Sequence, residues 1–229
     1  MNIHIGNKFG KILDKFIYLK NYIIFSIKED IKYTTKNNET IANRMYETVK
    51  EFIPSKNDLV IDIGSFDCDY AIIWAKKYKA NVVAFEALKE NWIKGLKNIA
   101  INKLENKIIS LNIGLGNSNE IIKVNSNGIM INNFNYGNNI ENIYIQKLDN
   151  YKYKPFLIKI DIEGFEFQAL NGMINTLIKY KPKIIIETHS EKLYNECAYF
   201  LQSLNYKLVK IQNVRYANNF GIIKESFWS

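Results

Sequence analysis

From residue 58 onward, short apolar segments alternate with segments of helical periodicity, and this alternation constrains the fold more than any other feature of the chain. The apolar segments are rich in Ile and Val, as are strands that are buried on both faces of a parallel sheet. Predicted strands cover residues 59–63, 81–85, 107–112, 156–161, 183–187, 207–211 and 221–224, and predicted helices cover 70–78, 90–101, 165–179 and 191–204. The order of these elements indicates an α/β domain with a mostly parallel, doubly wound sheet.

Residues 1–57 precede this pattern, and we predict that they form a helical extension to a domain at 58–229. Residues 40–52 have the periodicity of an amphipathic helix, which Pro54 ends. An apolar run lies farther upstream, but it carries a lysine at its centre and is shorter than the roughly twenty apolar residues that span a bilayer. We therefore expect no transmembrane span, while a peripheral membrane contact through residues 12–27 stays open.

Residues 114–148 interrupt the alternation of strands and helices. This stretch is rich in Asn and Gly and contains strand-like pieces at 120–124 and 142–147. We predict that it is a β-hairpin or loop inserted into the domain.

The chain carries a net charge of +8, which could attract nucleic acid, an anionic lipid or an anionic small molecule. Its basic residues are scattered rather than clustered, which favours a solvated basic surface over a nucleic-acid-binding face. The two cysteines, Cys68 and Cys197, lie far apart without a CxxC spacing, so we expect a reducing, cytoplasmic setting and no disulfide framework. With two histidines in the whole chain, a site built from several histidines is excluded.

Acidic residues recur at the points where the predicted buried strands end. Ligands of doubly wound sheets bind outside the carboxyl ends of the strands, so these side chains are expected to meet at one edge of the sheet. Of the first five predicted strands, only the third has no acidic residue at its end. The acidic residues at the other four strand ends are Asp62, Glu86, Asp161 and Glu187.

The first two strand ends predict a nucleoside-binding site. Gly64 allows a close turn after the first strand, and Glu86, about twenty residues later, suits a contact to ribose hydroxyls. The loop that starts at Gly64 has a single glycine and two aspartates, whereas a dinucleotide site usually has several glycines around its pyrophosphate. Aspartates repel a phosphate but tolerate a cationic cofactor, so the loop favours S-adenosylmethionine over NAD.

A second acidic group follows the fourth predicted strand. Asp161 is expected to point into the crevice, and Glu163 to lie on the turn into the next helix. Two neighbouring carboxylates can shift one another's pKa, bind a divalent cation or orient a hydroxyl, and we commit to no metal. For Glu166, a role in the site and a purely structural role, as a favourable charge at a helix N-terminus, fit equally well. His189 ends the fifth strand, where the near-neutral pKa of imidazole suits proton removal from a hydroxyl.

These blocks together resemble the FkbM-type methyltransferases over residues 57–210. The resemblance implies a seven-strand Rossmann-like sheet, the class I methyltransferase fold, and methyl transfer from S-adenosylmethionine, usually to an oxygen of a sugar, polyketide or other secondary metabolite. The residues that carry the resemblance are 59–85, Asn112-Ile-Gly-Leu-Gly116, Lys159-Ile-Asp-Ile-Glu-Gly-Phe-Glu166, Leu170, Gly172, Lys181-Pro182 and Ile186-Glu-Thr-His189.

The resemblance also implies roles for individual residues. Those implied to bind the cofactor are Asp62, Gly64, Ser65, Glu86 and Asp161, with Ile113 near the adenine. Asp161, Glu163 and His189 are implied to face the acceptor and are the candidate catalytic residues.

Three functions are compatible with these observations. The leading hypothesis is an O-methyltransferase that acts on a small molecule or glycan. The positive charge raises a nucleic-acid methyltransferase as the alternative, although the fourth strand lacks the Pro-Pro-aromatic turn that stacks on a flipped base and ends in acidic residues instead. A degenerate, non-catalytic binding protein is the third, because Gly64-Ser-Phe-Asp-Cys68 departs from the family's usual Gly-Ala-Asn-x-Gly.

Overall fold

The computed structural model describes residue 31 and residues 45–125, 140–217 and 221–229. Most of the predicted N-terminal extension, including the apolar run and the possible membrane contact at 12–27, lies outside these ranges. Among the described residues, no helix combines the length and the apolar character that a membrane crossing requires.

A seven-stranded sheet forms the centre of the domain, in the order β3-β2-β1-β7-β8-β10-β9. The strands in chain order are β1 Leu59–Ile63, β2 Asn81–Phe85, β3 Ile108–Leu111, β4 Gly114–Leu115, β5 Glu120–Asn125, β6 Ile140–Gln146, β7 Leu157–Ile160, β8 Lys183–Thr188, β9 Leu208–Ala217 and β10 Gly221–Trp228. Pairing is parallel from β3 through β8, while β10 runs antiparallel to both β8 and β9. The mostly parallel seven-strand sheet predicted from the sequence is confirmed.

Helices cover both faces of this sheet. They are α1 Asp69–Lys77, α2 Lys89–Ile101, α3 Glu166–Asn171, α4 Ile174–Tyr180 and α5 Glu191–Ser203. Alternate residues of β1 face different cores: Val60 packs with α1, whereas Ile61 and Ile63 pack with α3, α4 and α5. Strand β1 is therefore buried on two sides, which explains why its sequence is mostly apolar.

The strand order reverses between β1 and β7. From β1 the chain proceeds outward through β2 to β3, and it later returns to place β7 on the other side of β1. The two outgoing connections diverge at this point and leave a crevice above the carboxyl ends of the strands. The strand ends that carry Asp62, Glu86 and Asp161 meet there.

A small second sheet, in the order β4-β6-β5, lies beside the crevice. β5 pairs antiparallel with β6, and β4 pairs parallel with β6. Its buried residues Val124, Ile143 and Ile145 pack against Leu88 and Phe165, and this packing ties the insertion to the main domain. Residues 126–139, between β5 and β6, lie outside the described part of the chain.

The predicted amphipathic helix at 40–52 is wrong in its described part. Met45–Glu47 and Lys50–Phe52 form two 3₁₀ turns, and Val49 between them has an extended backbone with φ −119° and ψ 109°. Tyr46 and Phe52 are both buried in the core, and Phe52 packs edge-on against Phe227. Burial of these two aromatic rings outweighs the local preference for one continuous helix.

The helix predicted at 165–179 is divided into α3 and α4 at Gly172 and Met173. A Cβ at position 172 would collide with the main-chain oxygen of Gly116, so the chain approaches its neighbour there too closely for any other residue. A side chain from outside the helix then supplies the N-terminal bonds of α4: the Asp149 carboxylate accepts from Asn175 N and Thr176 N at 3.0 and 2.9 Å. The periodicity of the segment gives no sign of either contact.

Candidate active site

A cavity of about 380 Å³ opens at the carboxyl ends of β1, β2 and β7. This volume lies within the range of small-molecule binding sites. The side chains of one part are mainly apolar and include Phe66, Phe85, Leu88, Ile113, Leu115 and Ile143. The polar lining residues include Tyr46, Asp69, Glu86, Asn91, Lys159, Asp161 and Glu163.

Glu86, at the end of β2, is held rigidly on the cavity wall. Its Oε2 accepts a hydrogen bond from Phe66 N and its Oε1 one from Leu88 N, both at 2.9 Å. Burial raises the pKa of Glu86 to about 7, although these two hydrogen bonds oppose the rise. Each carboxylate oxygen keeps a further lone pair, so Glu86 can still accept a bond from a ligand hydroxyl.

Gly64 is required by the main chain of the neighbouring strand. Its φ of +74° is in the left-handed region, and a Cβ at this position would collide with the main-chain oxygen of Asp161. The close turn predicted from the sequence therefore exists, and it brings the ends of β1 and β7 together at one corner of the cavity.

Asp62 and Ser65 lie behind the cavity wall. Asp62 is fully buried, with Oδ1 3.4 Å from Lys159 Nζ, and Ser65 Oγ accepts a bond from Cys68 Sγ at 3.7 Å. Burial raises the pKa of Asp62 despite the nearby lysine. Asp62 therefore lies where it positions Lys159. Direct contact of Asp62 or Ser65 with a cofactor stays a prediction.

Lys159 is a site residue that the sequence analysis missed. It is 4% exposed, and its Nζ donates to the main-chain oxygen of Gly64 at 2.6 Å and lies 3.7 Å from Asp161 Oδ2. Burial alone would lower the pKa of Lys159, but the carboxylates of Asp62 and Asp161 outweigh it and raise the pKa. A lysine in the middle of an otherwise apolar predicted strand is the signal that could have identified it.

His189 lies among four carboxylates at the other end of the site. Its Nδ1 is 3.0 Å from Glu166 Oε1, and its Nε2 is 3.3 Å from Glu163 Oε2, 3.7 Å from Asp161 Oδ1 and 3.9 Å from Glu187 Oε1. Burial would lower the pKa of His189, but the bond to Glu166 and the surrounding negative charge raise it to about 9. The imidazole is therefore a cation at neutral pH, which makes it a poor proton acceptor there.

Tyr46, from the segment before the first strand, joins this cluster and was also missed. Its hydroxyl lies 3.3 Å from Asp161 Oδ2 and 3.2 Å from Glu187 Oε2, so its one proton is shared between the two acidic side chains. Its ring is 2% exposed and lies 4.4 Å from the ring of Tyr70, between centroids. Nothing in the sequence distinguishes Tyr46 from the other tyrosines, because its role depends on contacts with strands that lie far along the chain.

Most of the predicted site residues meet around this one cavity. Gly64, Glu86, Ile113, Asp161 and Glu163 line it. His189 lies next to Asp161 and Glu163, at what we call the acidic end: Asp161, Glu163, Glu166, Glu187 and His189. The cavity thus combines a wall suited to a nucleoside with an acidic end suited to binding or deprotonating a second molecule.

Comparisons with known proteins agree with this geometry. The family model described as the methyltransferase FkbM domain matches residues 62–208. No curated protein matches the chain.

Solved structures share the fold at low sequence identity. A methyltransferase FkbM from Methylobacillus flagellatus has a TM-score of 0.53 at 21% identity, and the match covers 76% of this chain and 44% of that one. This chain thus spans less than half the length of that relative. The Streptococcus pneumoniae protein Sp1610, a proposed tRNA (m1A22) methyltransferase in complex with S-adenosyl-L-methionine, has a TM-score of 0.54 at 13% identity, covering 81% and 72%. The delta-N METTL16 MTase domain has a TM-score of 0.58 at 11% identity, covering 93% and 94%.

Proposed function

The chain belongs to the FkbM methyltransferase family, and on this premise we propose that it transfers a methyl group from S-adenosylmethionine to a hydroxyl of a sugar, glycan or other small molecule. The observation that carries the proposal is the position of Glu86. Its carboxylate is fixed on the wall of a cavity at the reversal of strand order, opposite an acidic end that can receive a proton.

The cavity lining fits S-adenosylmethionine. Glu86 would accept bonds from the ribose hydroxyls, and the apolar side chains of Phe66, Leu88 and Ile113 would surround the adenine. The lining contains four carboxylates and one lysine, and Lys159 is already engaged by Gly64 O and Asp62. Such a site suits a cofactor with a positive sulfur and no phosphate.

Bound S-adenosylmethionine would supply an electrophilic methyl group. The protein then has two tasks, which are to align an acceptor oxygen with that group and to take the proton that the oxygen loses. Asp161 belongs to the acidic end and lines the cavity, and we assign it the role of proton acceptor. Glu163 would orient the acceptor, while His189, a cation at neutral pH, would hold the acidic side chains around it in place.

The acidic end favours a neutral or cationic acceptor over nucleic acid. Carboxylates at the position of the reacting atom would repel the phosphates of a nearby polyanion. The net charge of +8 does not change this local balance, since the charge at the site is negative.

Calorimetry with S-adenosylmethionine tests the cofactor part of the proposal. The unaltered chain should bind, Glu86→Ala should bind much more weakly, and Glu90→Gln, an exposed acidic residue on the next helix, should bind as the unaltered chain does. If the unaltered chain and Glu86→Ala were equally indifferent to the cofactor, the proposal would be rejected and a non-catalytic role favoured. Labelled cofactor and mass spectrometry of candidate glycans and small molecules then identify the acceptor.

A further inference from the structure

We propose that Asp161, Glu187 and His189 bind one divalent cation of the Mn²⁺ or Mg²⁺ class at the acidic end of the cavity. One ligand atom from each of these residues lies within 4.8 Å of the other two. Asp161 Oδ1 and Glu187 Oε1 are 3.7 and 3.9 Å from His189 Nε2. Bonds of about 2.1 Å in octahedral geometry place adjacent ligands about 3 Å apart and opposite ligands about 4.2 Å apart, so the side chains would move inward to complete the set.

The three atoms that would bind the ion are the ones that the other hydrogen bonds of these side chains leave free. The Tyr46 hydroxyl bonds Asp161 Oδ2 and Glu187 Oε2, which turns Oδ1 and Oε1 toward the imidazole. Glu166 accepts from His189 Nδ1 and so directs Nε2 toward the carboxylates of Asp161, Glu163 and Glu187. When an ion binds, Nε2 gives up its proton, because only a neutral imidazole coordinates a metal. Histidines that bind metals commonly donate their second nitrogen to a carboxylate in this way.

A separate observation concerns Glu225, on the strand next to Glu187. Glu225, which pairs with Glu187 across β10 and β8, is fully buried, and its Oε1 has no hydrogen-bond partner among the residues that the structure describes. Its other oxygen accepts a single bond, from Gln212 Nε2 at 3.0 Å. A buried carboxylate oxygen without a donor is unfavourable, and a cation at the neighbouring Glu187 would offset it.

The donor set indicates the class of ion. Two carboxylates and one imidazole, with space for water toward the cavity, suit Mn²⁺ or Mg²⁺ better than the thiolate-binding metals. The cysteines do not join the set, since Cys68 and Cys197 are buried and neither is among the three grouped residues.

The consequence for the acceptor rests on the proposed function. Asp161 lines the cavity, so an ion bound there would reach an acceptor hydroxyl and lower its pKa, a task that otherwise falls to Asp161 alone. An ion with open positions binds two adjacent oxygens better than one. The site would therefore select acceptors with neighbouring hydroxyls, such as the vicinal diol of a sugar.

The site is tested on the whole chain, which is first treated with EDTA to remove bound metal. The chain is then titrated with Mn²⁺, and electron paramagnetic resonance measures the ion that binds. We expect one bound ion per chain. Glu187→Gln should weaken binding by more than about tenfold, because even the loss of an outer hydrogen-bond partner changes metal affinity by that factor. Glu196→Gln makes the same chemical change on the exposed side of α5 and should bind Mn²⁺ as the unaltered chain does. Asp161→Asn provides a second ligand variant, and circular dichroism checks that each variant is folded.

The cation site is overturned if the unaltered chain shows no saturable binding at millimolar Mn²⁺, or if folded Glu187→Gln and Asp161→Asn bind as tightly as the unaltered chain. Calorimetry with S-adenosylmethionine on the same EDTA-treated sample separates this failure from that of the proposed function. Cofactor binding without Mn²⁺ binding would reject the cation site alone. Mn²⁺ binding without cofactor binding would support the cation site and reject the proposed function.

Discussion

Gly64 lies so close to the main-chain oxygen of Asp161 that the turn after β1 and the turn after β7 have no space for a side chain between them. Gly164, on the next turn of the same site, also has a positive φ, of +107°, but a Cβ there would meet no atom of the described residues within 4 Å. Substitutions at the two glycines therefore distinguish the cost of a steric collision from the cost of backbone strain.

We expect Gly64→Ala to lower the free energy of unfolding by more than about 3 kcal/mol, since it adds a collision to a strained backbone. Gly164→Ala should lower it by about 1–2 kcal/mol, from strain alone. Urea unfolding of both variants checks this difference. Equal losses would show that the β1 and β7 turns can move apart, and would contradict the close contact.

Tyr46→Phe should slow methyl transfer by about tenfold to a hundredfold without changing the affinity for S-adenosylmethionine. The phenol bonds Asp161 and Glu187, whereas Glu86 on the cofactor wall is held by other groups, including Phe66 N. Single-turnover rates and calorimetry with the cofactor measure the two effects separately. Tyr199→Phe, at a ring that is 74% exposed, is the matched control and should behave as the unaltered chain. An unchanged rate in Tyr46→Phe would remove Tyr46 from the site.

The parts of the fold that were predicted correctly depend on short-range pattern. The strands β1, β2 and β7 are buried, so their sequences are mostly apolar, and an acidic residue lies at or just after the end of each. Glu86 and Asp161 could be placed on the cavity wall for this reason, because parallel strands present their carboxyl ends at the same edge.

The parts that were missed depend on contacts between distant segments. Lys159 is opposite Asp62 in the register of β7 and β1, and Tyr46 reaches the same group from the segment before the sheet. The division of the helix at Gly172 likewise reflects contact with Gly116, far upstream. Sequence spacing contains no information about which residues such contacts bring together, so the contacts of Lys159 and Tyr46 with Asp161 became visible only in three dimensions.

Affinity for S-adenosylmethionine should rise with pH through the titration of Glu86. Burial raises the pKa of this carboxyl to about 7, and the ionised form is the better acceptor for ribose hydroxyls. If the ionised form alone binds, the dissociation constant should fall about tenfold between pH values about one unit below and one unit above that pKa. Calorimetry across this range measures the change, and Glu86→Gln should show a flat, weak profile. An unaltered chain with the same affinity at both ends would show that Glu86 does not contact the cofactor.

Stability should change with pH in the opposite direction, and Glu225 allows part of this change to be isolated. Burial raises its pKa from 4.5 to about 7, so between these values the folded chain keeps a proton that the unfolded chain has lost. Its contribution to stability is therefore fully present below pH 4.5 and is lost as the pH rises through about 7, by up to about 3 kcal/mol. Glu225→Gln keeps an uncharged side chain at all pH values, so it should remove that part of the slope and be more stable than the unaltered chain above pH 7. Urea unfolding at several pH values measures the slopes, with the exposed Glu105→Gln as a control that should leave the slope unchanged. A Glu225→Gln chain with the full slope would show that the fold does not exclude water from this carboxyl.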